Sequence, residues 1–180
     1  EWSGYYTVSA YETHHEHEYN AIRNAAALID ISPLFKYLVS GRDAARLVNR
    51  VITRDVSTVA PGQVIYTPWC DEQGAVIDDG TVARLGEQRF RWTAADPNLR
   101  WLTLNAAGLD VRVEDVSEQV AALALQGPMA AGVKCRFVGR CLNDPDVRQN
   151  GRGGSLVLRQ PQVVPGLQLQ ASTGFTHGGF

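Results

Sequence analysis

The chain has 180 residues, of which 44% are hydrophobic and 20% are charged, and its formal net charge is −2. This composition is typical of a folded globular protein, because disordered chains carry fewer apolar residues and a larger net charge. The small charge argues against general nucleic-acid binding, and no apolar run reaches the roughly 18 residues that a membrane-spanning helix needs.

The amino-terminal third is predicted to alternate helices with a strand. Apolar residues at helical spacing predict a first helix over Glu18–Ile29. Pro33 should end it, because proline disfavours helical geometry in the residue before it. Phe35–Val39 then predicts a strand, and the apolar row within Ala44–Ile52 predicts a second helix that Asp43 would cap.

Three strand-like segments follow, and short loops containing glycine join them. They are Val64–Cys70, Ala75–Leu85 and Arg89–Ala95. Such loops are typical of antiparallel hairpins. A third helix is predicted over Asp96–Ala107, a strand at Val111–Val113, and a buried strand over Val120–Leu125.

This order predicts an α+β fold, with an antiparallel sheet and helices on one of its faces. From Phe35 to Val116 it matches the split βαβ, ferredoxin-like plan. We therefore expect a module at residues 34–118. Residues 1–33 and 119–180 would form part of a second, discontinuous lobe.

The composition changes near Gly132. Residues 1–132 hold 11 Lys and Arg against 17 Asp and Glu, whereas residues 133–180 hold 6 against 2. The chain opens at Glu1 without an initiating Met and stops at Phe180, so we expect both ends to be truncated. The three cysteines, Cys70, Cys135 and Cys141, follow no metal-binding spacing and favour reduced thiols in a cytoplasmic protein.

The strand at Ala75–Leu85 contains the leading candidate for chemistry, Asp79. Alternation places Asp79 on the more apolar face, which we expect to be buried and which also bears Ile77, Thr81, Ala83 and Leu85. A buried carboxylate must be paired, protonated or ready to bind a ligand. The alternative is a structural role, in which Asp79 accepts backbone amides or pairs with a buried arginine.

Asp79 could perform either of two functions. It could accept hydrogen bonds from a heterocycle with amino and ring N–H groups, or it could move a proton if burial raised its pKa. Both would need an apolar pocket, which Tyr66, Trp69 and Trp92 could line, although such aromatics more often form ordinary core. Gly80 would allow a ligand or another backbone to approach closely.

A metal site is not favoured. On a helix, His14, His17 and Glu18 would share one face, but no further ligands are evident. A solvated helix start is the simpler interpretation.

Several short segments resemble, in order, the glycine-cleavage T-protein (aminomethyltransferase) family of folate-dependent one-carbon transferases. They are Asp30-Ile31-Ser32, Ser40-Gly41 with Asp43-Ala44, Thr53-Arg54-Asp55-Val56, Pro61-Gly62, Tyr66, Gly74-Ala75-Val76-Ile77-Asp78-Asp79, Leu125-Gln126-Gly127-Pro128 and Thr173-Gly174-Phe175-Thr176. The resemblance covers the amino-terminal half of such a protein. The segments around Asp79 and Thr93 look closer to the demethylase-like branches.

The resemblance implies a tetrahydrofolate site and a small one-carbon donor, with a lipoyl carrier protein as a further partner in the aminomethyl case. It implies that Asp79 lies at the reactive edge of folate as the catalytic residue. Tyr66 and Thr81 would line the folate pocket, and Thr93 stands where the family has Asn.

Departures from the family pattern leave two other interpretations open. Ala83 stands where the family has Tyr, and the Glu that contacts the pterin in the family is absent. Residues 133–170 match the family poorly, which either a divergent loop or a translation artefact would explain. The chain could therefore bind folate without transferring carbon, or it could be an inactive truncated fragment.

Overall fold

The computed structural model describes residues 1–7 and 9–130, together with two strands at 148–149 and 155–159. The chain divides into two compact units, here called the central unit (Leu34–Glu118) and the split unit (Glu1–Pro33 with Gln119–Phe180). The composition change near Gly132, the residues Cys135 and Cys141, and the Thr173–Thr176 segment lie outside the described residues, as does most of 133–170.

Among the described residues, each of three helices is followed by two or more strands. In order they are α1 (His15–Asn24), β1 (Ala27–Asp30), β2 (Phe35–Ser40), α2 (Ala44–Val51), β3 (Val64–Cys70), β4 (Val76–Gly86), β5 (Arg89–Ala94), α3 (Leu99–Asn105), β6 (Arg112–Asp115), β7 (Val120–Gln126), β8 (Arg148–Gln149) and β9 (Ser155–Arg159). Short 3-10 turns lie at Val56–Thr58 and Ser117–Gln119.

The central unit is built on a five-stranded sheet in the order β3-β4-β5-β2-β6. Every neighbouring pair is antiparallel. Four of these strands, in the order β6-β2-β5-β4, reproduce the split βαβ arrangement, and β3 extends the sheet beside β4. The predicted α+β fold with an antiparallel sheet is therefore confirmed.

Helices α2 and α3 contribute to the same hydrophobic core. The α2 residues Ala44, Leu47, Val48 and Val51 are buried, as their helical spacing predicts. They join a core cluster with strand residues and with Leu102 of α3. The strand members of that cluster are Tyr37, Val39, Trp69, Val82, Phe90, Trp92 and Ala94. The side of the sheet that bears these residues is called the helix-covered face, and the other side is called the opposite face.

The first predicted helix is partly wrong. Helix α1 ends at Asn24, and Ala27–Asp30 forms a strand whose partner is β7, with Ala27 opposite Gln126. No α1 residue is buried, so tertiary packing adds little to this helix. Residues 27–29 are apolar and were predicted as the end of the first helix. Pairing with β7 gives their backbone N–H and carbonyl groups hydrogen-bond partners in a sheet instead.

The predicted Asp43 cap is also different. Asp43 occupies the N-cap position of α2 but makes no side-chain cap hydrogen bond. Its carboxylate instead accepts the backbone N–H of Asp110 at 2.9 Å, and its own N–H donates to the Asp110 carbonyl at 3.1 Å. Asp43 therefore joins the start of α2 to the loop before β6.

The split unit contains a four-stranded sheet in the order β1-β7-β9-β8. Gly127 follows β7 with φ at +119°, and an added Cβ would lie 2.5 Å from the Ala25 carbonyl oxygen. Only glycine suits that backbone conformation and close approach. Within the described residues, no helix is long and apolar enough to cross a membrane.

Candidate functional site

Strand β4 places its two adjacent aspartates on different faces of the sheet. Register pairs Asp78 with Trp69 and Val82 with Trp92, so Asp78, Gly80 and Val82 point to the helix-covered face. Asp79 points to the opposite face and is exposed. The prediction that Asp79 lies on the buried face was therefore wrong.

The error has a physical cause: the two polar side chains that β4 places on the helix-covered face, Asp78 and Arg84, both have hydrogen-bond partners. The Arg84 guanidinium donates to the carbonyls of Val59, Gly86 and Glu87, and it lies 5.6 Å from the centre of the Phe90 ring. Counting apolar residues on each face treated Asp78 and Arg84 as surface residues, whereas hydrogen bonds allow both to border the core.

Asp78 belongs to a structural hydrogen-bond network. Its Oδ1 accepts the N–H of Asp79 at 2.7 Å, and its Oδ2 accepts the N–H of Asp96 at 3.1 Å and Nδ2 of Asn98 at 2.8 Å. Asn98 is only 3% exposed and also accepts the Trp69 indole N–H at 3.0 Å. This network joins β4 and β3 to the start of α3. Accepting backbone amides, the structural role that the sequence allowed for Asp79, is therefore performed by Asp78.

The four predicted site residues, Tyr66, Asp79, Thr81 and Thr93, all lie on the opposite face. Thr81 stands directly between Tyr66 on β3 and Thr93 on β5 in the strand register. Asp79 lies two residues along β4 from Thr81, diagonal to Tyr66, within reach of an aromatic side chain. The Tyr66 hydroxyl donates a hydrogen bond to Asp79 Oδ2.

The hydrogen bond changes the acid–base behaviour of Tyr66. Chiefly because its hydroxyl donates to Asp79, with smaller effects from desolvation and from the charges of Asp79 and Asp78, the pKa of Tyr66 is raised above its usual value. Tyr66 is 58% exposed, so its ring is also accessible to a ligand. Thr81 and Thr93 are half-buried and add two hydroxyls beside the pair.

Trp69 and Trp92 do not line this site, and they form ordinary core instead. Both are fully buried on the helix-covered face, where their rings pack edge to face with centroids 4.9 Å apart. Trp69 donates to Asn98, whereas the buried Trp92 Nε1 has no hydrogen-bond partner among the described residues. The packing interpretation of these aromatics was therefore correct.

Other residues near the site were not singled out from the sequence. Pro68 lies opposite Asp79 in the register, and the exposed Ile77 precedes Asp79 on the same face. Lys36 on β2 lies opposite Thr93, next to it on the same face, and is only 1% exposed. Its Nζ donates to the Leu34 carbonyl at 2.6 Å. A lysine within the apolar strand at 35–39 was a signal that could have been followed.

Gly80 separates Asp79 from Thr81 and allows β5 to approach closely. A Cβ added at Gly80 would lie 2.0 Å from the carbonyl oxygen of Thr93. Of the two reasons considered for a glycine here, the structure shows the approach of another backbone.

One residue of the histidine-rich segment, Glu18, forms hydrogen bonds with the backbone that precedes α1. Glu18 accepts the backbone N–H groups of Tyr11 and Glu12, the latter at 2.7 Å. Among the described residues, no cluster of three or more His, Cys, Asp or Glu side chains could hold a metal ion.

The opposite face thus combines groups suited to a flat polar heterocycle. The Asp79 carboxylate can accept N–H donors, the two threonine hydroxyls can donate or accept, and Tyr66 with Ile77 offers aromatic and aliphatic contact.

Known proteins resemble this chain in sequence and in structure. The GCVT N-terminal domain family matches residues 1–144. An aminomethyltransferase of Clostridium botulinum (strain Loch Maree / Type A3) is 33% identical over 165 residues, which cover 89% of this chain and 42% of that protein. One from Bacillus subtilis (strain 168) is 38% identical over 120 residues, or 64% of this chain and 33% of the relative.

A solved structure shares the architecture. The crystal structure of glycine cleavage system aminomethyltransferase T from Bartonella henselae matches with a TM-score of 0.68 and 26% identity. The match covers 79% of this chain and 44% of that one. The chain therefore spans less than half the length of these relatives.

Proposed function

We propose, from the premise that this chain belongs to the GCVT N-terminal domain family, that it takes part in tetrahydrofolate-dependent one-carbon transfer of the aminomethyltransferase type. The observation that carries the proposal is the grouping of Tyr66, Asp79, Thr81 and Thr93 on one face of three adjacent strands. Those are the residues that the family resemblance assigns to the folate site.

The residues of the opposite face fit the chemistry of a pterin. Its amino and ring N–H groups donate hydrogen bonds, and the exposed Asp79 carboxylate is an acceptor for them. The ring is flat and largely apolar on its faces, which suits contact with Tyr66 and Ile77. Thr81 and Thr93 would fix its orientation through their hydroxyls.

Asp79 is proposed to orient the folate rather than to act from a buried position. Tetrahydrofolate supplies the nucleophilic ring nitrogen that accepts the one-carbon unit. Asp79 would accept a hydrogen bond near that nitrogen and hold it toward the donor, which lowers the entropic part of the barrier. Desolvation of Asp79 would then come from the bound ring, since the described side chains leave the carboxylate exposed.

The names of the relatives favour an aminomethyl donor over a methyl donor. The relatives from Clostridium botulinum and Bacillus subtilis are both named aminomethyltransferases. The proposed partners are therefore folate, a small one-carbon donor and a lipoyl carrier protein that presents the aminomethyl group. Methyl transfer from a sulfur or oxygen donor is the alternative within the same chemistry.

A second candidate function is folate binding without transfer. The exposed Asp79 carboxylate suits it, because accepting hydrogen bonds from a ring needs neither a buried side chain nor proton transfer. The residues proposed to bind the pterin are the same in both candidates.

Calorimetric titration of the chain with tetrahydrofolate tests the proposal, with Asp79→Asn as the variant. We expect the wild-type chain to bind and Asp79→Asn to raise Kd about tenfold, since a hydrogen bond to a charged acceptor contributes about 1.5 kcal/mol or more. Glu72→Gln, at an exposed position in the loop before β4, is the matched control and should leave Kd unchanged.

A transfer assay then separates the two candidates. Ammonia release with an aminomethylated lipoyl carrier protein would support aminomethyl transfer, and product only with methyl donors would support the demethylase-like reaction. Binding without turnover would support the non-catalytic candidate. Absence of any folate binding would identify the chain as an inactive fragment and refute the proposal.

A further inference from the structure

The Tyr66–Asp79 hydrogen bond is a specific feature of the opposite face. Asp79 is exposed, and the described structure gives its carboxylate a hydrogen bond from the Tyr66 hydroxyl. An exposed aspartate side chain ordinarily samples several rotamers, each with its oxygens in a different place. The hydroxyl of Tyr66 selects one of them.

The backbones of both residues are held by other hydrogen bonds. The Arg54 Nη1 donates to the Tyr66 carbonyl at 3.3 Å, from the segment that lies beside β3. The Asp78 carboxylate accepts the Asp79 N–H at 2.7 Å. Since antiparallel pairing of β3 with β4 sets the diagonal spacing, the two side chains meet without a change of backbone.

Resting on the proposed function, we propose that Tyr66 is a positioning residue: its hydroxyl fixes the Asp79 carboxylate in the orientation that accepts the hydrogen bond of the folate ring. This role differs from contact with the ring of the ligand. It uses the hydroxyl group alone and acts only through Asp79.

The proposal predicts energetic coupling between the two side chains. If Tyr66 acts through Asp79, removing its hydroxyl matters only while the carboxylate is present. A double-mutant cycle measures this directly, because residues that act through one contact give non-additive effects. If Tyr66 contacts the ligand by itself, its effect is the same with or without Asp79.

The experiment measures the tetrahydrofolate Kd of the wild-type chain, Tyr66→Phe, Asp79→Ala and the double variant. We expect Tyr66→Phe to raise Kd about threefold in the wild-type background and to have no effect in the Asp79→Ala background, which has no side-chain acceptor left to orient. Tyr19→Phe, at a tyrosine that is 59% exposed in the split unit, is the matched control and should leave Kd unchanged.

Tyrosine titration supplies a second readout that does not depend on folate. The absorbance difference between wild type and Tyr66→Phe isolates the ionisation of Tyr66 at alkaline pH. In Asp79→Asn, the Tyr66 pKa should fall toward its ordinary value of about 10, because the hydrogen bond to the carboxylate and the charge of Asp79 are lost. A purely steric role for Tyr66 would leave its titration unchanged.

The outcomes separate this inference from the proposed function. Equal effects of Tyr66→Phe in both backgrounds, no effect of Tyr66→Phe in the wild-type background, or an unchanged Tyr66 titration in Asp79→Asn would each overturn the positioning role alone. An unchanged Kd in Asp79→Asn, or a wild-type chain that does not bind folate, would overturn the proposed function and this inference with it.

Discussion

Asp78 and Asp79 are adjacent in the chain, and the pleat of β4 gives them different environments. Asp78 accepts three N–H donors from the polypeptide, including the side chain of the buried Asn98. Asp79 faces the other way and has Tyr66 as its hydrogen-bond partner. Side-chain alternation along the strand thus puts one carboxylate in a structural network and leaves its neighbour exposed on the other face.

This difference predicts unequal effects of alanine substitutions on stability. Asp78→Ala removes the acceptor of the Asp96 and Asp79 N–H groups and one acceptor of Asn98, so we expect it to lower the free energy of unfolding by about 1–3 kcal/mol. Asp79→Ala should change it by about 0.5 kcal/mol or less, as is usual for exposed positions.

Urea denaturation of the two variants and the wild-type chain provides the measurement. The slope of the transition should stay constant, so that midpoints can be compared directly. Equal midpoints for Asp78→Ala and Asp79→Ala would contradict the assignment of Asp78 as the structural member of the pair.

At the scale of elements, the spacing of apolar residues predicts a helix well where one face of that helix is buried. Helix α2 has an apolar row at helical spacing, and its buried residues are those that the row predicts. Helix α1 has no buried residue, and the helix predicted there ran on into what is strand β1. Apolar periodicity therefore predicted helix α2 correctly, because its apolar face packs in the core. It gave the wrong bounds for helix α1, which has no such packing.

Leu47 tests how much α2 contributes to the central unit. It is completely buried in the core cluster, so Leu47→Ala should leave a cavity and cost about 2–5 kcal/mol of unfolding free energy. Arg46→Ala, the exposed neighbour on the same helix, should cost about 0.5 kcal/mol or less. Thermal or urea unfolding checks both, and similar losses in the two variants would refute the packing role of this face.

At the scale of the whole molecule, the residues that the structure describes in the two units differ in how much they are buried. The central unit holds most of the named core residues, whereas α1 in the split unit buries none. Strands β2 and β5 have a paired strand on each side. Local opening should therefore be costly in the middle of the central sheet and cheap in α1.

Hydrogen exchange read by mass spectrometry measures this distribution. We expect amides of β2 and β5 to exchange most slowly, because their release requires opening of the central unit. Amides of α1 should exchange close to the rate of an unstructured peptide. Protection of α1 comparable with that of β5 would contradict this distribution of stability.

By itself the sequence determined the order and type of most elements and the antiparallel α+β fold, because these depend on periodicity and short loops. Through the family resemblance it also predicted Tyr66, Asp79, Thr81 and Thr93 as site residues, which stays a prediction. Only the tertiary structure decided which face of β4 the helices cover. It also decided that Asp78 rather than Asp79 satisfies backbone amides, and that Tyr66 reaches Asp79. The physical reason is that strand alternation divides residues into two sets, while register and distant hydrogen-bond partners such as Asn98 choose between them.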